Sequence, residues 1–211
     1  MSTRHINLAQ PRLGAKVIHA SDDFFADKAR LIAPEPPEFI PGKYDENGKW
    51  MDGWESRRKR VPGHDHCTIR LGSPGKISAV EIDTSHFTGN FPPFASIEAA
   101  HFAGELPPEN AKWTEILAKT TLDGDAQAHF DVQTPGSFTH IRLHIYPDGG
   151  IARLRVYGEI DRDWSKISKD EVFDLAALEW GGRPVGCNDA HFGTPENMVA
   201  PGYGVNMGDG W

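Results

Sequence analysis

Cysteine is almost absent from this chain. Cys67 and Cys187 are its only two, they lie far apart, and neither belongs to a metal-binding spacing. A disulfide-stapled secreted scaffold is therefore excluded as a source of stability, and a reducing cytoplasm is the expected setting. Long apolar runs are missing too. No stretch approaches the eighteen residues of a membrane-spanning helix, and no apolar signal core follows Met1-Ser2-Thr3-Arg4-His5. Basic charge is in deficit, with 22 Lys and Arg against 30 Asp and Glu, giving −8. That balance argues against a nucleic-acid backbone or an anionic membrane as partner. Helical periodicity is scarce as well.

What the chain does have is turns and short alternating runs. Twenty-two Gly and 16 Pro punctuate the sequence, and 38% hydrophobic residues suffice for one core in 211 residues. Period-two alternation predicts strands at 67–71, 77–83, 96–102, 116–120, 129–132, 139–146 and 151–157. In the last two, Ile141, Leu143 and Ile145 share one face against His140, Arg142 and His144, while Ala152, Leu154 and Val156 oppose Arg153 and Arg155. Pro147-Asp148-Gly149-Gly150 between them reads as the turn of a hairpin. The expected fold class is all-β, an antiparallel β-sandwich of jelly-roll type. Helix is expected only at 27–31 and at 169–178, the second opened by Ser168 with Glu171 as a capping box.

The chain also repeats itself. At a constant offset of 167 residues Leu8-Ala9 meets Leu175-Ala176, Gly14 meets Gly181, Asp22 meets Asp189, Phe25 meets Phe192, and Ala33-Pro34 meets Ala200-Pro201. Asp52-Gly53-Trp54 returns, after ten residues fewer, as Asp209-Gly210-Trp211. A fixed long period means a duplicated unit. The expected organisation is a module over 1–160, a linker over 161–173, and the start of a second, incomplete repeat over 174–211. Without strands to cover it, that last segment should be poorly ordered unless it packs on the first module or on another subunit. Its apolar residues Phe173, Leu175, Leu178, Trp180 and Phe192 favour a homo-oligomer.

Chemistry-bearing residues concentrate between Asp52 and His66. Arg57 and Arg58 offer the fork geometry that holds a carboxylate through two hydrogen bonds. His64-Asp65-His66 sets two imidazoles around a carboxylate, able to exchange protons near neutral pH or to take part in a metal site. A divalent metal is the weaker reading, because two His fall short of the three ligands normally needed. Solvated-loop roles stand beside the functional ones for the whole run. Asp22-Asp23 can divide acid and base roles or cap a helix. The long turn 83–93 leads to Ser96-Ile97-Glu98, where Glu98 faces either a cleft or water, and His86, His101 and His144 read as isolated residues.

Several stretches carry a family resemblance: Gly42-Lys43-Tyr44, then Lys49-Trp50-Met51-Asp52-Gly53-Trp54-Glu55-Ser56-Arg57-Arg58-Lys59-Arg60, Pro62-Gly63-His64-Asp65, and Ile82-Asp83-Thr84-Ser85-His86-Phe87-Thr88-Gly89-Asn90-Phe91-Pro92-Pro93. Together they resemble allantoicase from about Asn7 to Glu159. The resemblance implies two similar galactose-binding-like jelly-roll modules and the hydrolysis of allantoate to ureidoglycolate and urea; no cofactor is expected, with a divalent metal as the weaker alternative. Set against that chemistry, the expected catalytic residues are His64, His66, Asp52 and Asp65, and the expected substrate contacts are Arg57, Arg58, Trp54, Glu55 and Asp22. Arg57 and Arg58 would hold the substrate carboxylate, His64 or His66 would protonate the departing urea, and Asp52 or Asp65 would orient or activate water. The rival readings are a non-catalytic ligand-binding jelly roll, with Trp50, Trp54 and Phe87 as contact aromatics, and an inactive remnant.

Overall fold

The computed structural model describes residues 5–191, 193–204 and 206–210. Its strands in chain order are β1 (Ile6–Asn7), β2 (Lys16–Ala20), β3 (Tyr44–Asp45), β4 (Gly48–Lys49), β5 (Trp54–Glu55), β6 (Asp65–Asp83), β7 (Phe94–Ala100), β8 (Thr114–Thr121), β9 (Gln127–Asp131), β10 (Phe138–Tyr146), β11 (Gly150–Ile151) and β12 (Arg153–Ile160). Every helical turn among the described residues is a short 3-10 piece.

β6 is 19 residues long and serves both layers of a sandwich. Its first part pairs with β2 on one side and β10 on the other, with Ala20 opposite Cys67 and His144 opposite His66. β7 and β8 then extend that layer beyond β10. Its second part pairs with β9 and β12, Val80 standing opposite both Phe130 and Val156, and β1 extends that layer beyond β12. The sequence places a break between two strands at 72–76; the structure has one strand passing from sheet to sheet. Glycine permits the passage. A Cβ on Gly72 would lie 2.5 Å from Leu13 O, and one on Gly75 would lie 2.5 Å from a methyl of Leu8. The 8–13 segment can close on β6 only where those side chains are absent.

Alternation then fills the core. Ile69, Ile97, Ile141, Leu143 and Ile145 from one layer meet Val80, Ile82, Leu154 and Val156 from the other, all fully buried. Face assignments made from the alternating pattern hold for both expected strands at 139–157. Their expected hairpin does not form. Both edges of β10 are taken by β6 and β7, so the chain after Tyr146 crosses to the other layer, where β12 pairs with β6 and β1. Period two fixes which face is buried and says nothing about which strand is the neighbour.

The first expected helix is present as a 3-10 turn over Lys28–Ile32, capped by Asp27, whose carboxylate accepts the Ala29 N–H at 2.7 Å. The second is not. Residues 169–177 run as turns and irregular chain, and a 3-10 piece forms only at Leu178–Trp180. There, Phe173 and Trp180 stack at 4.6 Å beside Trp164, an arrangement a continuous helix from Ser168 would disperse.

The self-similar segments share local geometry. Gly14 and Gly181, both left-handed with φ of 88° and 91°, end the 3-10 turns Pro11–Leu13 and Leu178–Trp180. Asn7 Oδ1 accepts the Ala9 N–H as Asp174 Oδ1 accepts that of Ala176. Asp22 caps Phe24 as Asp189 caps His191. Phe192 and Trp211, also part of the repeat, lie outside the described residues. The 174–210 segment packs back on the sandwich: Leu178 is 1% exposed in the main core, Val199 and Ala200 pack against that core, and Arg12 pairs with Asp209 at 3.1 Å. Leu178→Ala should weaken that attachment by about 2–5 kcal/mol. Limited proteolysis within 162–210 is then expected to accelerate while cleavage of the sandwich stays slow. Equal cleavage rates in both proteins would show that Leu178 does not hold the segment.

Candidate active site

The strand ends and loops around β5 enclose a cleft of about 400 Å³ lined by Phe25, Lys49, Met51, Glu55, His86, Thr88, Gly89 and Asn90. β5 supplies Glu55, pinned by two neighbours: its backbone pairs with Gly150 of β11 and exchanges hydrogen bonds with Ala26. The β3–β4 hairpin brings in Lys49. The turn 84–92 brings His86, Thr88, Gly89 and Asn90, and Asp125 holds the His86 N–H at 2.7 Å. His86 is left-handed at φ 70°, a conformation few non-glycine residues adopt, and its Nε2 donates to Pro37 O at 3.2 Å.

Within the cleft Asn90 Nδ2 donates to Glu55 Oε1 at 2.8 Å. Burial raises the Glu55 carboxyl above its ordinary value, against the opposing pull of Asn90 and of Lys49. A carboxyl that keeps its proton more readily than usual, next to an ammonium and a side-chain amide, can both donate a proton and bind a polar anion.

The expected site residues do not converge on this cleft as a set. Trp54 is not a substrate contact: it is fully buried, and its Nε1 donates to Asp22 O at 2.8 Å. Asp52 is not positioned as a base, because Arg153, itself 2% exposed, meets its Oδ2 at 2.6 Å, and the Glu38 N–H reaches the same oxygen. Burial pushes the Asp52 carboxyl up, but Arg153 and that N–H outweigh it and hold the group below its ordinary value. Asp65 is 1% exposed and anchors its loop: its Oδ1 accepts from Ser21 Oγ at 2.8 Å and from Lys59 Nζ at 2.6 Å. Asp22 and Arg57 meet each other, at 2.6 Å, rather than a shared ligand pocket. Arg58 is exposed and has no partner among the described residues.

His64 and His66 belong to the outward side of the layer containing β10, across the turn 147–149 from Glu55. That turn joins the two places: Pro147 O takes the Asp65 N–H and Gly149 O takes the Ser56 N–H. His64 Nε2 lies 2.9 Å from His144 Nδ1, and His66 stacks on His19 with centroids 5.3 Å apart. Burial, then Arg142 and three neighbouring imidazoles, pull His66 down to about 4. Near neutral pH it is therefore uncharged and unsuited to donating a proton. Among the described residues no group of three or more His, Cys, Asp or Glu could hold a metal ion. Lys49, His86 and Asn90 stand in stretches that carry the family resemblance but outside the dense 52–66 run, and His144 reads as isolated, so none of them entered the expected site.

The Asp52–Arg153 pair gives a stability test. Asp52→Ala leaves a buried guanidinium facing only carbonyls, which should cost about 3–5 kcal/mol in denaturant melts. Because the folded carboxyl is depressed, its contribution is present above the unfolded value of about 3.8 and is lost as pH falls through the folded value. The wild-type advantage over Asp52→Ala should shrink at acid pH. A constant difference down to pH 2 would contradict the ion-pair assignment.

Comparisons with known proteins agree with this architecture. The family model described as the allantoicase repeat matches residues 6–161. "Probable allantoicase 2" of Burkholderia mallei is 56% identical over 208 residues, covering 99% of this chain and 62% of the relative. "Probable allantoicase" of Ralstonia nicotianae is 54% identical with the same coverage. The solved allantoicase of Saccharomyces cerevisiae is 35% identical with a TM-score of 0.84, over 99% of this chain and 63% of that one. A chitobiase C-terminal domain from Bacteroides fragilis, 15% identical with a TM-score of 0.51, shares the fold alone, over 75% of this chain and 99% of that one. The chain thus spans less than two thirds of the length of these curated relatives. It is an all-β, galactose-binding-like jelly roll, and it belongs to the allantoicase family.

Proposed function

We propose that the Glu55 cleft hydrolyses allantoate, releasing urea and leaving ureidoglycolate, as a step of purine breakdown. The observation that carries this reading is the carboxyl of Glu55, raised by burial inside a cleft that Lys49 and Asn90 also line.

Allantoate carries a carboxylate and two ureido groups on one carbon. Lys49 supplies the cation for the carboxylate, and Arg58, exposed and unpartnered among the described residues, helps draw the anion in. Asn90 fixes one oxygen of Glu55, so the other is free to carry a proton toward the departing nitrogen. As the C–N bond breaks, its electron pair stays on the urea nitrogen and is met by that proton. The oxygen of water bonds to the carbon in its place. In this reading the acid role, assigned from sequence to His64 or His66, passes to Glu55, which lines the cleft that neither histidine lines. Residues 174–211 are read as the opening of a second, similar repeat.

The same reading places the chain in the cytoplasm as a homo-oligomer. Its two free cysteines and the exposed Val172, Leu175, Tyr203 and Met207 support this. Sedimentation should show a species heavier than one chain.

Glu55→Gln should lower urea release by about 10²–10⁴-fold. Because the raised Glu55 carboxyl works in its protonated form, wild-type turnover should decline as pH rises through the folded value. That limb should vanish in the variant. Undiminished urea release by Glu55→Gln would remove Glu55 from the mechanism.

A further inference from the structure

The hydrolysis proposed for the Glu55 cleft needs two proton transfers, and Glu55 accounts for one. The water that replaces urea must also lose a proton, to a base that lines the same cleft. Thr88 and Asn90 have no basic atom, and the Lys49 ammonium only donates. His86 brings the one imidazole of the lining.

The ring has a defined tautomer. Its Nε2 lies 3.2 Å from Pro37 O, and a carbonyl only accepts, so Nε2 carries the hydrogen. In the neutral ring Nδ1 then holds a lone pair, and it takes no hydrogen bond from the described residues. Phe39 stacks on the ring with centroids 5.9 Å apart, and Lys49 Nζ lies 4.6 Å from the centre of that same Phe39. One aromatic side chain thus sets both the imidazole and the ammonium of the cleft.

The backbone beneath the ring is held where histidine does not favour being. Among the described residues two non-glycine positions are left-handed, His86 at φ 70° and Asp125 at φ 52°, and they are bonded to each other: Asp125 Oδ1 accepts the His86 N–H at 2.7 Å. The neighbouring chain over-determines both. Thr84, 1% exposed, donates through Oγ1 to Asp123 O at 2.6 Å, and its N–H meets Ala126 O at 2.9 Å. Phe87, next in sequence to His86, is fully buried, and a Cβ on Gly124 would lie 2.6 Å from the Phe91 ring. A turn needed only for its shape would be served by glycine at 86 without strain. An imidazole kept there against that preference points to a use for the ring.

We propose that His86 is the base of this reaction, its Nδ1 taking the proton of the attacking water. The inference rests on the hydrolysis proposed for the cleft. One O–H bond of water breaks and its proton passes to Nδ1, while the oxygen bonds to the carbon that loses urea and keeps its other hydrogen as a hydroxyl. The departing nitrogen keeps the C–N electron pair and takes its proton from Glu55. Pro37 O faces the imidazolium through the same Nε2–H, a contact that strengthens as the ring gains charge. Loss of the imidazole proton to solvent and uptake of one by Glu55 restore the starting state.

Position 86 lends itself to substitution, because glycine and asparagine both accept a left-handed backbone. His86→Gly removes the ring and leaves its space, and His86→Asn keeps a polar side chain without a basic nitrogen. Urea release from allantoate is measured on the whole chain for the wild type and both variants, with amide spectra reporting that each is folded, and for His86→Gly with added imidazole as well. Imidazole ¹⁵N spectra of the wild type read the tautomer, which decides the matter even where a variant fails to fold. The expected result is a hydrogen on His86 Nε2, a fall in kcat of about 10²–10⁴-fold in both variants with KM little changed, and partial recovery of His86→Gly by imidazole. A wild-type His86 protonated at Nδ1 overturns the inference, as does undiminished turnover in either variant. A loss confined to KM, or one that imidazole does not relieve, makes His86 a fastener of its loop and overturns it too. All of these leave urea release by the wild type intact. A wild type that releases no urea refutes the reaction itself, and the base with it.

Discussion

Both sheets of the sandwich depend on one strand. β6 supplies hydrogen-bond partners to β2 and β10 in its first part and to β9 and β12 in its second, so the relative placement of the layers is written into a single continuous backbone. Its passage between layers requires glycine at 72 and 75, where the 8–13 segment closes within van der Waals distance. The strand also fixes where function can lie. Its start carries Asp65 and His66 at the mouth of the 147–149 turn, and its end carries Asp83 opposite Arg153, the residue that secures Asp52.

Charge is partitioned at that end of the molecule. Arg153 with Asp52, Arg57 with Asp22, and Lys59 with Asp65 neutralise the acids that would otherwise compete for a cationic substrate-binding group. Two of the pairs also clamp a loop, Asp52 catching the Glu38 backbone and Asp22 that of Arg57, while Asp148, outside the pairs, catches that of Lys59. Two carboxylates remain in other surroundings. Glu55 is held by an amide in a cleft, and Glu98 is shared between Arg142 and a histidine. Environment rather than residue type separates these two carboxylates from the ion-paired ones.

The face pattern of each strand was legible in the sequence because burial on one side of a sheet leaves a period of two, as Ile141, Leu143 and Ile145 show. Strand partnership was not, since the same alternation is compatible with a hairpin after Tyr146 or with the crossing that occurs. Gly181, aligned with Gly14 by the 167-residue offset, ends its 3-10 turn in the same left-handed conformation. The dense polar run 52–66 overstated how many of its members meet: Trp54, Asp52 and Asp65 are turned to structural uses. Residues distant in sequence, His86 and Asn90 at the cleft and Glu98 and His144 beside His64, come together only through the sheet register and the 84–92 turn. No local pattern announces that.

The central claim is that the substrate occupies the Glu55 cleft. A crystal structure of the Glu55→Gln variant with bound allantoate tests it most directly. The expected density places the carboxylate against Lys49 and a ureido nitrogen within hydrogen-bond reach, about 3 Å, of the side chain at position 55. Allantoate bound away from Lys49 and Asn90, with the cleft filled only by water, would contradict the assignment.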